Sequence, residues 1–275
     1  MATNNVDFEK KQAEAMEIKK KRLSLSRIDN RIMVIISLAL GIIAWFLLAL
    51  IPSVSTIITN PIILIKTFIS ELENGLISDI YTSIFRVLSG FLLGLVVAIP
   101  IAFLMGWYGT FRSLTEPWIQ FFRTIPPIAL IPLVIVAFGV GESAKIAVIF
   151  VATFLVMVVS IYQGVRNVDP TLIKAARVLG ANDKDIFFEV VVPASFPYIL
   201  VGVRLGLASA WTTLVAAEMT GASKGLGNMI MEAGTFFRMD QVILGIVLIG
   251  IIGFIMDKLV LYLEKKLAGW QEVSK

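Results

Sequence analysis

The sequence predicts an all-α membrane protein with six transmembrane helices and both termini in the cytoplasm, and three observations carry that prediction. Hydrophobic residues fill 57% of the 275 positions and only 16% are charged, with a mean hydropathy of +0.88. That balance belongs to a chain solvated by lipid. Uncharged runs recur at Ile32 to Ile51, Val87 to Phe111, Thr124 to Gly141, Ile146 to Val165 and Gln241 to Met256, and a sixth, Ser195 to Ala217, is interrupted only by Arg204. Each reaches or approaches the roughly 20 apolar residues needed to cross a hydrocarbon core, and long runs favour helices over a β-barrel. Basic residues set the orientation. Inner segments hold eight between Lys10 and Arg31, then Arg112, then Arg166, Lys174, Arg177 and Lys184, then Lys258, Lys265, Lys266 and Lys275, whereas outer segments hold only Lys66, Lys145, Lys224 and Arg238. The excess on one side places the termini in the cytoplasm. The net charge of +4 is thereby accounted for by topology and calls for no nucleic acid. Cysteine and histidine are both absent, which excludes disulfides, thiolate metal sites and histidine catalysis.

The elements follow in order. Residues 1–31 read as a polar cytoplasmic arm, with Lys19 to Arg22 as an inside anchor; residues 32–56 hold the first span, too long for a cleavable signal core. In the outer segment 57–80, Asn60 and Pro61 read as cap and first helical position, and Ile62, Ile65, Ile69 and Leu72 share a face opposite Lys66, Glu71 and Glu73. A helix lying in the outer interface fits this pattern, and Asn74 and Gly75 stop it. Residues 81–264 form the core with helices two to six, and 265–275 a cytoplasmic tail. The second span carries Gly90 and Gly94 at the spacing of a close helix contact, and Pro100 predicts a kink. The third begins near Trp118 and holds Pro126, Pro127 and Pro132, too many for a regular helix. Broken backbone at membrane depth is tolerated where it is buried or lines a cavity, so a pathway is expected nearby.

The charged stretch from Asp169 to Pro193 interrupts the apolar second half of the chain, within a cytoplasmic loop spanning 166–193. Asp169 and Pro170 signal a helix start; Leu172, Ile173, Ala176 and Leu179 recur at helical spacing, with Lys174 and Arg177 on another face. Ala175, Ala176 and Gly180 leave one side small enough for another backbone to approach. Asn182 or Asp183 is placed to cap a second helix running into Phe187 and Val190, and Pro193 and Pro197 precede the next span.

Two alanines, a glycine four residues after the second and a proline thirteen further on resemble the cytoplasmic EAA loop of ATP-binding-cassette importer permeases. Lys174 stands where that loop usually has an acid, and Val192 where it has leucine. The runs SIFRVLSGFLLG, PWIQFFRTIPPIALIPLVIVAFGVGESAKI and VVVPASFPYILVGVRLGLASAWTTLVAAEMTGASKGLGNMI are similar to the nitrate, sulfonate, taurine and bicarbonate branch. The resemblance implies a type I importer permease of the bacterial inner membrane, working as a pair with two ATPase subunits inside and a substrate-binding protein outside. It implies coupling through Lys174, Ala175, Ala176, Gly180 and Asp183. ATP and Mg would bind on the partner ATPase, with no cofactor in this chain.

Arg204, Trp211 and Glu218 lie seven residues apart and so near one helical face. A deep arginine usually faces a protein interior or a water-filled cavity. This face is expected to border a translocation cavity, with Arg204 as gate or anion contact and Glu218 as its counter-charge or an outer-gate residue. Structural pairing with neighbouring helices is the alternative. Arg86 and Arg123 face the same choice, or snorkel to the interface. Three arginines against one intramembrane acid favour an anionic solute. Import of a heterocyclic vitamin precursor, or an autonomous secondary transporter or channel, are the alternative functions; no inverted repeat stands out for the latter, and no P-loop spacing occurs in the chain.

Overall fold

The computed structural model describes residues 30–267, and the polar arm and most of the tail lie outside the described residues. Among these, every regular element is helical. The chain divides into two compact units, Met1–Ile63 and Leu64–Lys275. In the first, α1 (Asn30–Ala49) is apolar on all sides and exposes nearly all of them, as a helix solvated by lipid requires. A single turn, α2 (Pro52–Ser55), follows, and the Trp45 indole N–H donates to the Thr59 carbonyl at 3.2 Å. The helix expected after Asn60 and Pro61 is α3 (Pro61–Glu73), and the Asn60 side chain caps it by accepting from the Ile62 N–H. Ile62, Ile65 and Ile69 of its apolar face are exposed.

The second unit is built around α7 (Glu142–Arg166), the most buried of the long apolar helices at 61%. It lies between α4 (Leu76–Trp107) and α10 (Val192–Met219). Both contacts are glycine seams. Gly90 and Gly94 of α4 bring Ile149 and Thr153 of α7 against their backbone, where the Thr153 hydroxyl reaches the Gly90 carbonyl at 3.4 Å. On the other side Gly202 and Gly206 of α10 meet Ser160, Ile161 and Met157. Without a hydrophobic drive between helices in lipid, such close approach supplies the dispersion contacts that hold the bundle. Pro100 lies inside α4 without ending it.

Among the described residues five helices are long and apolar enough to cross a membrane, and a bent pair makes a sixth if its two arms count as one span. The break is the one expected from three prolines too many for a regular helix, but the span does not begin near Trp118. Trp118 instead sits within α5 (Gly109–Thr124), and the chain turns by 93° into a short 3-10 turn (Pro127–Leu130) and α6 (Ile131–Phe138). The residue before a proline is pushed out of the α region. Ile125 and Pro126, each followed by proline, are accordingly extended, with ψ of 121° and 129°.

The cytoplasmic loop forms α8 (Pro170–Val178), a turn α9 (Asp183–Asp185) and a π-helical segment (Ile186–Val191) that runs directly into α10. Pro193 therefore does not separate the loop helix from the fifth span; both belong to one apolar helical run, Asp183–Met219. After the outer turn come α11 (Leu226–Thr235) and α12 (Met239–Leu267). The latter continues well past Met256, where the last span was expected to end. The Thr67 hydroxyl reaches Asp240 at 2.8 Å and the Gln241 amide reaches Glu71 at 2.6 Å, tying α3 to the start of α12.

Candidate functional site

Two places concentrate chemistry, one at each end of the second unit. At the cytoplasmic end, the Asp169 carboxylate accepts from the Thr171 N–H at 2.8 Å and caps α8. The Thr171 N–H, followed by its hydroxyl, holds the Asp169 carboxyl below its ordinary range. The helix stops in a Schellman motif: Gly180 N–H donates to the Arg177 carbonyl and Ala181 N–H to the Ala176 carbonyl, each at 3.0 Å. Gly180 has φ +86°, and a Cβ there would meet nothing within 4 Å. Its glycine is required by backbone conformation, not by closeness to another part of this chain. Asn182 then caps α9 in a reciprocal box with Asp185, while Asp183 pairs with Arg177 at 3.6 Å.

The loop's faces are divided differently from the expected stripe. Ile173 and Ala176 pack on the core, whereas Leu172, Val178 and Leu179 point outward, the last two each 87% exposed. Ala175 and Lys174 share this open side. Behind it, Phe187 packs edge-on against Phe103 and Trp107 of α4, with centroids 5.6 and 5.2 Å apart.

At the outer end, Arg86 of α4 is 1% exposed and does not reach an interface. Its Nε and Nη2 form a fork on the Glu142 carboxylate at the start of α7. Its Nη1 donates to Glu218 Oε1 of α10 and to the Lys224 carbonyl, both at 2.7 Å. Glu218, fully buried, also accepts from the Ser83 hydroxyl at 2.8 Å and the Gly227 N–H at 2.8 Å. Ser83 in turn accepts from the Leu226 N–H at 2.9 Å, and Asp79 from the Gly225 N–H at 2.7 Å. Lys145, 7% exposed, stands 3.8 Å from Glu142. One arginine thus ties α4, α7, α10 and the start of α11 together.

The seven-residue stripe is split by these contacts. Glu218 pairs with Arg86, not with Arg204, so the expected counter-charge is corrected. Arg204, partly exposed, pairs with Asp257 of α12 at 3.1 Å. Trp211 is buried, faces Gly253 of α12, and its Nε1 has no acceptor. A seven-residue interval drifts about 20° on a straight helix, and Glu218, at the outer end of α10, is where α4 and α11 converge. Arg123 lies exposed in the last turn of α5, apart from the cluster. Glu142, Lys145, Ser83 and Asp79 were not singled out from sequence. The one local sign was Glu142 opening a helix after Gly139 and Gly141, with Lys145 three residues on.

A bundle with a proline-broken span, glycine seams and long apolar helices is a polytopic membrane protein. Residues 90–269 match the family of binding-protein-dependent transport system inner membrane components. The chain belongs to that family: it is a multi-pass inner-membrane transport component, and not itself an ATPase. It is 52% identical to a probable ABC transporter permease protein of Brucella abortus, covering 86% of this chain and 95% of that one. It is 37% identical to the taurine transport system permease protein of Escherichia coli over 68% of each chain, and 32% identical to the nitrate import permease protein of Synechocystis over 70% of each. The fold matches the MetNI methionine ABC transporter, TM-score 0.55 at 21% identity over 67% of this chain and 95% of that one. It also matches an amino acid ABC transporter, TM-score 0.58 at 17% identity over 74% and 96%.

Proposed function

We propose that the chain pairs with a second copy of itself to form the translocation path of an ATP-driven importer for a small oxyanion of the nitrate or sulfonate type. Two ATPase subunits, which bind ATP and Mg, dock on α8, and an extracytoplasmic binding protein delivers the solute. The observation that carries the coupling step is the outward stripe of Leu172, Val178 and Leu179 on a helix fixed at both ends, because apolar residues on a cytoplasmic loop need a partner to be covered. Lys174 and Asp183 flank this stripe and offer it charge. Closure of the ATPases would push α8, and the Phe187 contact would pass that displacement to Phe103 and Trp107 of α4. A rigid aromatic contact transmits motion where a flexible side chain would absorb it. The solute class rests on the taurine and nitrate relatives and on the buried Arg86 guanidinium.

The test is co-purification from membranes with the cognate ATPase, followed by ATP-dependent uptake of nitrate and taurine in proteoliposomes. Val178→Asp with Leu179→Asp is expected to leave the chain's melting temperature unchanged while abolishing ATPase recovery and uptake. Retention of the ATPase by this variant would sink the docking role. Uptake by the isolated chain without ATP would replace the whole reading with a secondary transporter.

A further inference from the structure

We propose that the Arg86 guanidinium is a binding seat for a small oxyanion at the outer mouth of the chain, and that Glu142 occupies this seat until the anion displaces it. The proposal rests on the reading that the solute is an oxyanion, and names where this chain would first hold it.

The two acids on Arg86 are not equivalent. Glu218 is fully buried and receives the Ser83 hydroxyl and the Gly227 N–H besides the guanidinium, so its removal would strand three donors. Glu142 is 52% exposed, and its side-chain partners are Arg86 and the more distant Lys145. Swinging it outward returns a carboxylate to water, which hydrates it well. What it leaves behind is a planar pair of N–H donors, Nε and Nη2, aimed at one point. That fork matches two oxygens of a carboxylate, nitrate or sulfonate equally well, and discriminates against a spherical chloride.

The surroundings suit such a guest. A cavity of about 290 Å³ opens over the fork, lined by Tyr81, Thr82, Phe85, Ser223 and Lys224. It has room for a small oxyanion with some of its water, since a water molecule takes about 30 Å³. Charge balance points the same way. Arg86 and Lys145 stand with Glu142 and Glu218 in one neutral group. Withdrawing Glu142 leaves a net positive seat, and one monovalent anion restores neutrality. The seat lies at the first position of α7, a 25-residue helix whose N-terminal dipole adds to the attraction. Occupying it would also release Glu142 from α4, so arrival of the anion and loosening of the α4–α7 outer contact become one event.

Competition makes a quantitative prediction. In the detergent-solubilised full-length chain, the unfolding midpoint is followed against methanesulfonate and nitrate at constant ionic strength, with chloride as the balancing anion. Glu142→Ala is expected to melt below the wild type in chloride, and to recover saturably with either oxyanion at a half-saturating concentration at least tenfold below that of the wild type. Placing Arg86→Lys in the same background is expected to erase the preference over chloride. Glu142→Gln, which keeps the seat's shape filled without its charge, is expected to fall between the wild type and Glu142→Ala, and serves if the alanine variant does not fold. Equal half-saturation in wild type, Glu142→Gln and Glu142→Ala, or a response no larger than that to chloride, overturns the seat. The measurement needs neither ATPase nor transport. Tight binding with no uptake of these anions would therefore leave the seat standing and remove the solute assignment instead.

Discussion

At the residue scale, the Arg86 cluster is decided by burial. An ion pair taken out of water repays its desolvation only when its remaining hydrogen-bonding groups are satisfied. Glu218 meets that condition through Ser83, Gly227 and Arg86. Glu218→Ala is therefore expected to cost about 3–5 kcal/mol, the range for breaking a buried pair from one side. Joint replacement, Arg86→Met with Glu218→Met, is expected to cost less, because no guanidinium is stranded and half-exposed Glu142 rehydrates once freed, while the Ser83 hydroxyl and the Gly227 N–H still lose their acceptor. Chemical denaturation of both variants in one detergent checks the order; equal losses would mean that the charges themselves, not their mutual satisfaction, hold the helices. Asp169 offers a pH counterpart outside the membrane. Its folded carboxyl titrates below its ordinary value, so the cap's contribution is present above the ordinary carboxylate range and fades as pH falls through the lowered folded value. Protection of the Thr171 amide, its exchange relative to an unstructured amide at the same pH, is expected to fall over that acid range in the wild type. In Asp169→Asn, whose side chain caps without ionising, that acid dependence should be absent.

At the element scale, α8 owes its independence to its ends. Caps satisfy the orphan donors and acceptors that a nine-residue helix cannot satisfy internally, which leaves its outer face available for a partner. Gly180→Ala is expected to cost about 1–2 kcal/mol from the left-handed backbone alone, with no steric contribution, since its surroundings are open. Hydrogen exchange should localise the loss to residues 170–185; a loss spread through α7 would show that the glycine serves packing instead. Phe187 tests transmission. Phe187→Ala is expected to keep ATPase recovery but lower uptake per ATP hydrolysed, because the contact with Phe103 and Trp107 is removed while the docking face is intact. Much of this element was legible in sequence: the Asp169 cap, the Asn182 cap and the break after Leu179 depend on neighbours within four residues. The facing of its stripes was not, because Leu172 and Ile173 are equally apolar and only the tertiary core decides which turns inward. The outer cluster was still less legible, since Arg86 meets its two acids 56 and 132 residues away. Seven-residue spacing joined Arg204 to Glu218 on paper; helix packing gave each a different partner.

At the scale of the whole molecule, the long apolar runs and the basic asymmetry made span number and orientation readable, because both follow from transfer of the chain into lipid. The 93° break at Pro126 falls among the prolines expected to interrupt the third span, but its angle was not readable, as proline forbids a conformation without choosing the one adopted. What organises the bundle is α7 and the glycine seams on its two sides. Gly94 leaves no room for a Cβ beside Thr153, and Gly206 leaves none beside Met157. The two obstacles differ in kind. At Gly94 the crowding includes the Phe154 backbone N–H, which cannot move without α7, whereas at Gly206 it is a methionine side chain with three rotatable bonds. Overpacking costs about 1–3 kcal/mol where neighbours cannot yield, so Gly94→Val is expected at or above the top of that span and Gly206→Ala near its bottom. The sites lie in separate interfaces, so the double variant is expected to sum the two losses within about 0.5 kcal/mol. Sub-additivity measured by denaturation would mean that α7 shifts towards one side when the other is crowded, making it a sliding element between α4 and α10 and not the fixed spine on which they are built.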